Sequence, residues 1–169
     1  FVNGEDEQYA TSGEYNFLAI NLSSTNDANM ALNTPIQVPT GTDAYLRFNH
    51  AYQFESGSYD GGVLEYSTGG PWIDASPLFV NQGYSGTLVS GNPLGVRSAF
   101  VNDSNGMISS RLSLNSLAGQ NVRFRFRQGS DNIAGALGWY IDDIDVYTCQ
   151  ASVHSNFLPA VTKPGVPNP

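Results

Sequence analysis

The chain has 169 residues, 40% of them hydrophobic and 12% aromatic, enough for one domain with a substantial core and no covalent staples. Its formal net charge of −8 argues against nucleic acid or an anionic membrane surface as partner, and is compatible with carboxylate binding of hard cations or with plain solubility. No run approaches the roughly 20 apolar residues of a membrane span, and a single cysteine, Cys149, excludes an intramolecular disulfide, a zinc ribbon and a redox pair.

Charged residues are only 13% of the chain, about half the usual share. Gly, Ser, Thr and Asn fill the gap, as in turn-rich extracellular β-proteins. The chain opens on Phe1-Val2-Asn3-Gly4 without a basic, apolar leader, which is expected of a fragment processed from a longer protein.

Helical periodicity is missing, and segments of alternating character bounded by Gly, Asn, Asp and Pro recur instead. In chain order, short strands are expected at 15–21 and 36–38. The first strong one covers 44–55, where Leu46, Phe48, His50, Tyr52 and Phe54 share one face and Arg47, Asn49, Gln53 and Glu55 the other. Asp60-Gly61-Gly62 breaks the chain before a strand at 62–68, and Gly69-Gly70-Pro71 ends it. Residues 72–104 read as long loops around a short strand at 86–89. A strand at 108–114 follows Asn105-Gly106. At 122–128, Val122, Phe124 and Phe126 alternate with Arg123, Arg125 and Arg127. The last strand covers 139–147. Beyond it a lone thiol at a strand end, Cys149, is expected to be buried. From about Ser155 the composition turns proline-rich, as in a linker or extended tail. The expected organisation is a β-sandwich over 1–150 and a linker or tail over 151–169. Irregular strand spacing favours an all-β, two-sheet antiparallel sandwich with jelly-roll (Greek-key) wiring over a meander.

Catalytic constellations are scarce. His50 and His154 are the only histidines, so no His-Glu-x-x-His zinc site exists. His50 lies on the inward phase of its strand, the place of a hydrogen-bonded core histidine rather than a base. Gly83-Tyr84-Ser85-Gly86-Thr87 lacks the closing glycine of a nucleophile elbow. Asp103-Ser104-Asn105-Gly106 resembles half an EF-hand loop, but Val101 stands at its first ligand position, so a hairpin tipped by Asn-Gly is the better reading.

The segment Trp139-Tyr140-Ile141-Asp142-Asp143-Ile144-Asp145-Val146 carries more information. Trp139 and Ile141 share one phase, Ile144 and Val146 the opposite one. If all four are core, the register slips at Asp142-Asp143, as a β-bulge does, and re-aims both carboxylates. Adjacent acids repel unless a cation or an arginine compensates. Asp27, Glu55 and Asp60, at loop or strand ends, are further candidate ligands. The alternatives are solvation, or pairing with the Arg123, Arg125 and Arg127 ladder. That ladder in turn suits an anion, or acids on a neighbouring strand. Trp72, Tyr59 and Tyr84 sit in glycine-rich contexts where exposed rings would stack on sugars, although such aromatics also plug sandwich ends.

The runs Tyr45-Leu46-Arg47-Phe48-Asn49-His50-Ala51-Tyr52-Gln53-Phe54-Glu55, Tyr59-Asp60-Gly61-Gly62-Val63-Leu64-Glu65-Tyr66-Ser67-Thr68-Gly69-Gly70-Pro71-Trp72, Gly119-Gln120-Asn121-Val122-Arg123-Phe124-Arg125-Phe126-Arg127 and Gly138-Trp139-Tyr140-Ile141-Asp142-Asp143-Ile144 resemble the MAM-like jelly-roll domains beside immune inhibitor A-type secreted bacterial metallopeptidases. The likeness spans residues 26–149, with 26–35 fitting the opening strand. The resemblance implies a secreted or cell-surface, non-catalytic accessory module. Its cofactor would be calcium, held among Asp27, Glu55, Asp60, Asp142 and Asp143. Its partner would be a neighbouring catalytic domain of the same polypeptide. The other functions to weigh are a carbohydrate-binding module using Trp72, Tyr59 and Tyr84, or a surface adhesion module contacting an extracellular protein. The family's eukaryotic members carry cysteine bridges that this chain lacks, so no adhesion role carries over from them.

Overall fold

The computed structural model describes residues 2–5 and 9–149, so His154 and the expected tail at 151–169 lie outside the described residues. One sheet has six strands in the order β1 (Val2–Glu5), β2 (Tyr15–Asn21), β13 (Ala136–Cys149), β5 (Asp43–Gln53), β11 (Ile108–Ser113), β8 (Phe79–Asn81). The other has seven. Five run in the order β3 (Asn26–Ala31), β12 (Asn121–Ser130), β6 (Gly61–Ser67), β10 (Ser98–Val101), β9 (Gly86–Thr87), while β4 (Ile36–Gln37) pairs with β12 and β7 (Ile73–Asp74) with β6. Neighbouring strands are antiparallel, and the sheets pack face to face around one apolar core as a β-sandwich.

The alternating segments supply that core. Leu46, Phe48, His50, Tyr52 and Phe54 from the β5 segment are all buried, as are Val122, Phe124 and Phe126 of β12. Trp139 is fully buried at the centre, edge-on to Phe126 and tilted against Phe100. His50 is a core residue. Trp139 donates its indole N–H to His50 Nδ1 at 3.0 Å, which leaves the proton on Nε2 to meet the Ser110 hydroxyl at 2.8 Å. Burial holds the His50 pKa down to about 3, so the ring is neutral at physiological pH and is not placed to act as a base. Gly62 faces the indole, and a Cβ there would come within 2.4 Å of two ring atoms. Gly62→Ala is therefore expected to lower stability by about 1–3 kcal/mol through overpacking, seen in urea melts as a lower midpoint at unchanged slope.

The register of β13 against β5 slips between Asp142 and Asp145, and Asp143 takes a left-handed φ of 46°. The slip puts Trp139 and Ile141 in the core on one side of it, and packs Ile144 and Val146 against the same core on the other. This is the bulge that the change of hydrophobic phase demands.

Three local expectations change. β10 and β11 belong to different sheets, so Asn105-Gly106 does not tip a hairpin but turns the chain across the sandwich, with left-handed Asn105 and Gly106 making the corner. Cys149 is exposed at the end of β13. Residues 72–104 are not merely loops: they contribute β7 to β10, and Leu88 and Leu94 between β9 and β10 cover the outer face of the seven-stranded sheet. There Val63, Leu88, Leu94, Ala99 and Val101 form a second, smaller core. Val63 alternates out of phase with the main core, and only this covering explains its complete burial.

Candidate metal centre

At one end of the sandwich Glu55 leaves the β5 segment, Asp60 immediately precedes β6, and Asp131 immediately follows β12. Register places the last two together. Gly61 pairs with Gly129, so the chain just before β6 lies beside the chain just after β12. One carboxylate oxygen from each of the three acids lies within 4.8 Å of the others. Glu55 comes from the six-stranded sheet and the two aspartates from the seven-stranded one, so the cluster bridges the layers.

The two aspartates are buried, Glu55 is partly so, and the cluster is under-compensated. Asp60 is 0% exposed and Asp131 8%. Asp60 Oδ1 accepts the Asp131 amide at 2.7 Å, and Asp131 Oδ1 accepts the Ile133 amide at 2.8 Å. Asp60 Oδ2 and Glu55 Oε2 are buried with no hydrogen-bond partner. Burial pushes the Asp60 pKa up. The Asp131 amide and Asn21 side chain pull it down, while the Asp131 and Glu55 charges raise it further. Among the described residues no Arg or Lys forms an ion pair with any of the three.

Other acids in the sandwich are treated differently. Glu65 lies between Arg97 (2.7 Å) and Arg125, with Arg127 at 3.8 Å, and Arg97 also reaches Asp74. Burial raises the Glu65 pKa, but the hydrogen bonds from Arg97 and Arg125 outweigh it and the net shift is downward. Two arginines of the β12 ladder, Arg125 and Arg127, are thus spent on acids, while Arg125 and Arg123 stack over Trp72 at 4.4 and 5.5 Å.

The five acids singled out from sequence fall in three places. Asp27 on β3 forms a two-pronged pair with Arg127 at 2.7 and 2.6 Å, which holds its pKa below the usual carboxylate range. Asp142 and Asp143 at the bulge are occupied by donors rather than gathered with distant acids. Asp142 Oδ2 accepts the Thr11 and Ser12 amides at 2.6 and 3.2 Å, and Asp143 Oδ2 accepts the Thr11 hydroxyl and Asn49 at 2.7 and 3.0 Å. The Ser12 hydroxyl donates to Asp143 Oδ1, and these bonds, Ser12 foremost, lower the Asp143 pKa. With Tyr9 stacked on Tyr140 at 4.2 Å, the bulge straps the segment beginning at Tyr9 to the six-stranded sheet. Only Glu55 and Asp60 converge, and they do so with Asp131, which sequence reasoning missed. It lies beyond the strand expected at 122–128, and only the β6–β12 register brings it to Asp60.

Of the three aromatics, Tyr59 is 41% exposed and Trp72 is half-buried against the arginines. Tyr84 packs on Phe79 and Phe100 and bonds its hydroxyl to the Leu64 backbone at 3.0 and 2.9 Å, so it acts as a core plug.

Chemically, the three carboxylates are hard oxygen donors with two buried, unshared oxygens, a set that suits a hard cation. A calcium ion there would neutralise the mutual repulsion and tie the two sheets together, with water or carbonyl oxygens completing its shell. Without a cation, Asp60 binds its proton more tightly folded than unfolded. Its contribution is full in acid and is lost as pH rises from its usual value through the raised one. In chelator, Asp60→Asn is therefore expected to melt above wild type at pH 7, with the gap closing towards pH 4, as read by calorimetry across a pH series.

Comparison with protein-family models gives no match, and comparison with curated protein sequences gives none either.

Proposed function

We propose that the chain is a non-catalytic, calcium-stabilised accessory module of a secreted bacterial multidomain protein, of a kind with the MAM-like jelly-roll domains of extracellular metallopeptidases. The reading rests on the uncompensated Glu55–Asp60–Asp131 cluster. A protein that surrounds Glu65 with arginines and pairs Asp27 with Arg127 leaves three converging carboxylates with no Arg or Lys partner among the described residues. The withdrawal of His50 into the core supports a binding or bracing role over catalysis.

Calcium titration of chelator-treated protein by calorimetry tests this reading. One saturable site is expected, lost in Glu55→Gln, Asp60→Asn and Asp131→Asn and kept in Asp27→Asn and Asp143→Asn. If wild type gives no saturable heat, the calcium reading is wrong. If the Asp143 variant alone loses the site, the centre lies at the bulge instead.

A further inference from the structure

The turn that runs from Glu55 to Asp60 does two jobs at once. Its ends carry two of the cluster's carboxylates, while its middle receives the segment 88–97. The Val89 amide donates to the Ser58 carbonyl at 3.1 Å. Asn92 is 6% exposed and donates both amide hydrogens, to the Tyr59 carbonyl at 2.8 Å and to the Gly129 carbonyl at 2.9 Å. Its own Oδ1 accepts the Leu94 amide at 2.9 Å, turning Leu94 down into the second core. Tyr59 precedes Asp60 and Gly129 lies two residues before Asp131, so one side chain clasps the backbone leading into both aspartates from the outside. The fit is close: a Cβ on Gly129 would lie 2.4 Å from Asn92 Oδ1 and 2.7 Å from Leu94 Cγ. At its far end the segment is pinned by Arg97 to Glu65 and Asp74.

Resting on the calcium reading above, we infer that ion binding and the seating of segment 88–97 are coupled through Asn92, so that calcium locks this flap over the outer face of the seven-stranded sheet and its removal releases it. Three facing carboxylates without a cation repel one another. Asp60 and Glu55 sit at the ends of a turn rather than within a strand, with left-handed Gly57 and Ser58 between them. Spreading that turn moves the Ser58 and Tyr59 carbonyls away from Val89 and Asn92. Leu88 and Leu94 then lift, and Val63, Ala99 and Val101 lose their cover. The rise in extracellular calcium on export would thus close an apolar face that is open at low calcium. Because coupling is reciprocal, a flap that cannot clasp the turn must also weaken the ion.

Hydrogen exchange of the whole chain, in chelator and in saturating calcium, reads the flap directly. In wild type, calcium is expected to slow exchange at the Leu88, Val89, Leu94 and Gly95 amides at least tenfold, with little change at the β5–β11 ladder. In Asn92→Ala that slowing is expected to fall to less than threefold, with calcium affinity reduced. Trypsin supplies a readout needing no variant, since Arg97 is the only Lys or Arg between Arg47 and Arg111. Cleavage after Arg97 should be faster in chelator than in calcium. Calcium binding by titration with no change in flap exchange or Arg97 cleavage overturns the coupling and leaves the metal reading standing. Calcium-dependent slowing that persists in Asn92→Ala overturns the role of Asn92. Absence of calcium binding overturns the metal reading itself.

Discussion

Adding calcium to the chelated protein is expected to raise its melting temperature by roughly 5–10 °C. An ion that binds only the folded form contributes RT ln(1 + [L]/Kd), about 2.7 kcal/mol at one hundred times Kd. A domain of this size moves by about 2–4 °C per kcal/mol. The folded state alone brings Glu55, Asp60 and Asp131 together, because Glu55 comes from one sheet and the aspartates from the other, so the unfolded chain offers no comparable site. Scanning calorimetry with a calcium series checks the size and the logarithmic dependence. Asp131→Asn should flatten the series, while Asp27→Asn should lower every curve and keep its slope. A melting temperature indifferent to calcium and to chelator would remove the centre.

Replacing Glu65 by Gln is expected to cost about 3 kcal/mol, lowering the melting temperature by roughly 6–12 °C. The Glu65 side chain is only 5% exposed and is shared by Arg97, Arg125 and Arg127, themselves 21%, 17% and 23% exposed. Arg97 would keep Asp74 and Arg127 would keep Asp27. Arg125 would keep only the face of Trp72, and a half-buried guanidinium without a counter-charge is the costly species. Because these pairs are shielded, moderate salt should hardly change the loss. Asp27→Asn, whose partner pair has a 39% exposed carboxylate, should cost less and be more salt-sensitive. Replacing Glu65 and Arg125 together by methionine should recover much of the loss, since no charge is then stranded. A loss under about 1 kcal/mol for Glu65→Gln would mean the arginines are solvated rather than held.

The resting charge states follow the same division. Arg127 and the bulge donors hold the Asp27 and Asp143 pKa values down, and the arginines do so for Glu65, so their contributions persist above the usual carboxylate range and fade in acid. Asp60 runs the opposite way, because it alone of these four is buried without a cation.

By itself the sequence determined the sandwich, the inward faces of β5 and β12, the core role of His50 and the slip at Asp142-Asp143, because a strand's period of two converts spacing directly into a face. It also marked Glu55 and Asp60 as acids at strand ends. Tertiary structure alone decided their company. Asp131 joins Asp60 through the pairing of β6 with β12, Asp27 and Glu65 are claimed by arginines from β12 and from position 97, and Thr11 and Ser12 reach Asp142 and Asp143 across some 130 residues. The second core under segment 88–97 was hidden for the same reason. Val63, Ala99 and Val101 follow the outward phase of their strands, and an outward phase is buried only when a distant piece of chain folds over it. Local periodicity fixes which side of a strand a residue takes, while the pairing of distant strands fixes what waits there.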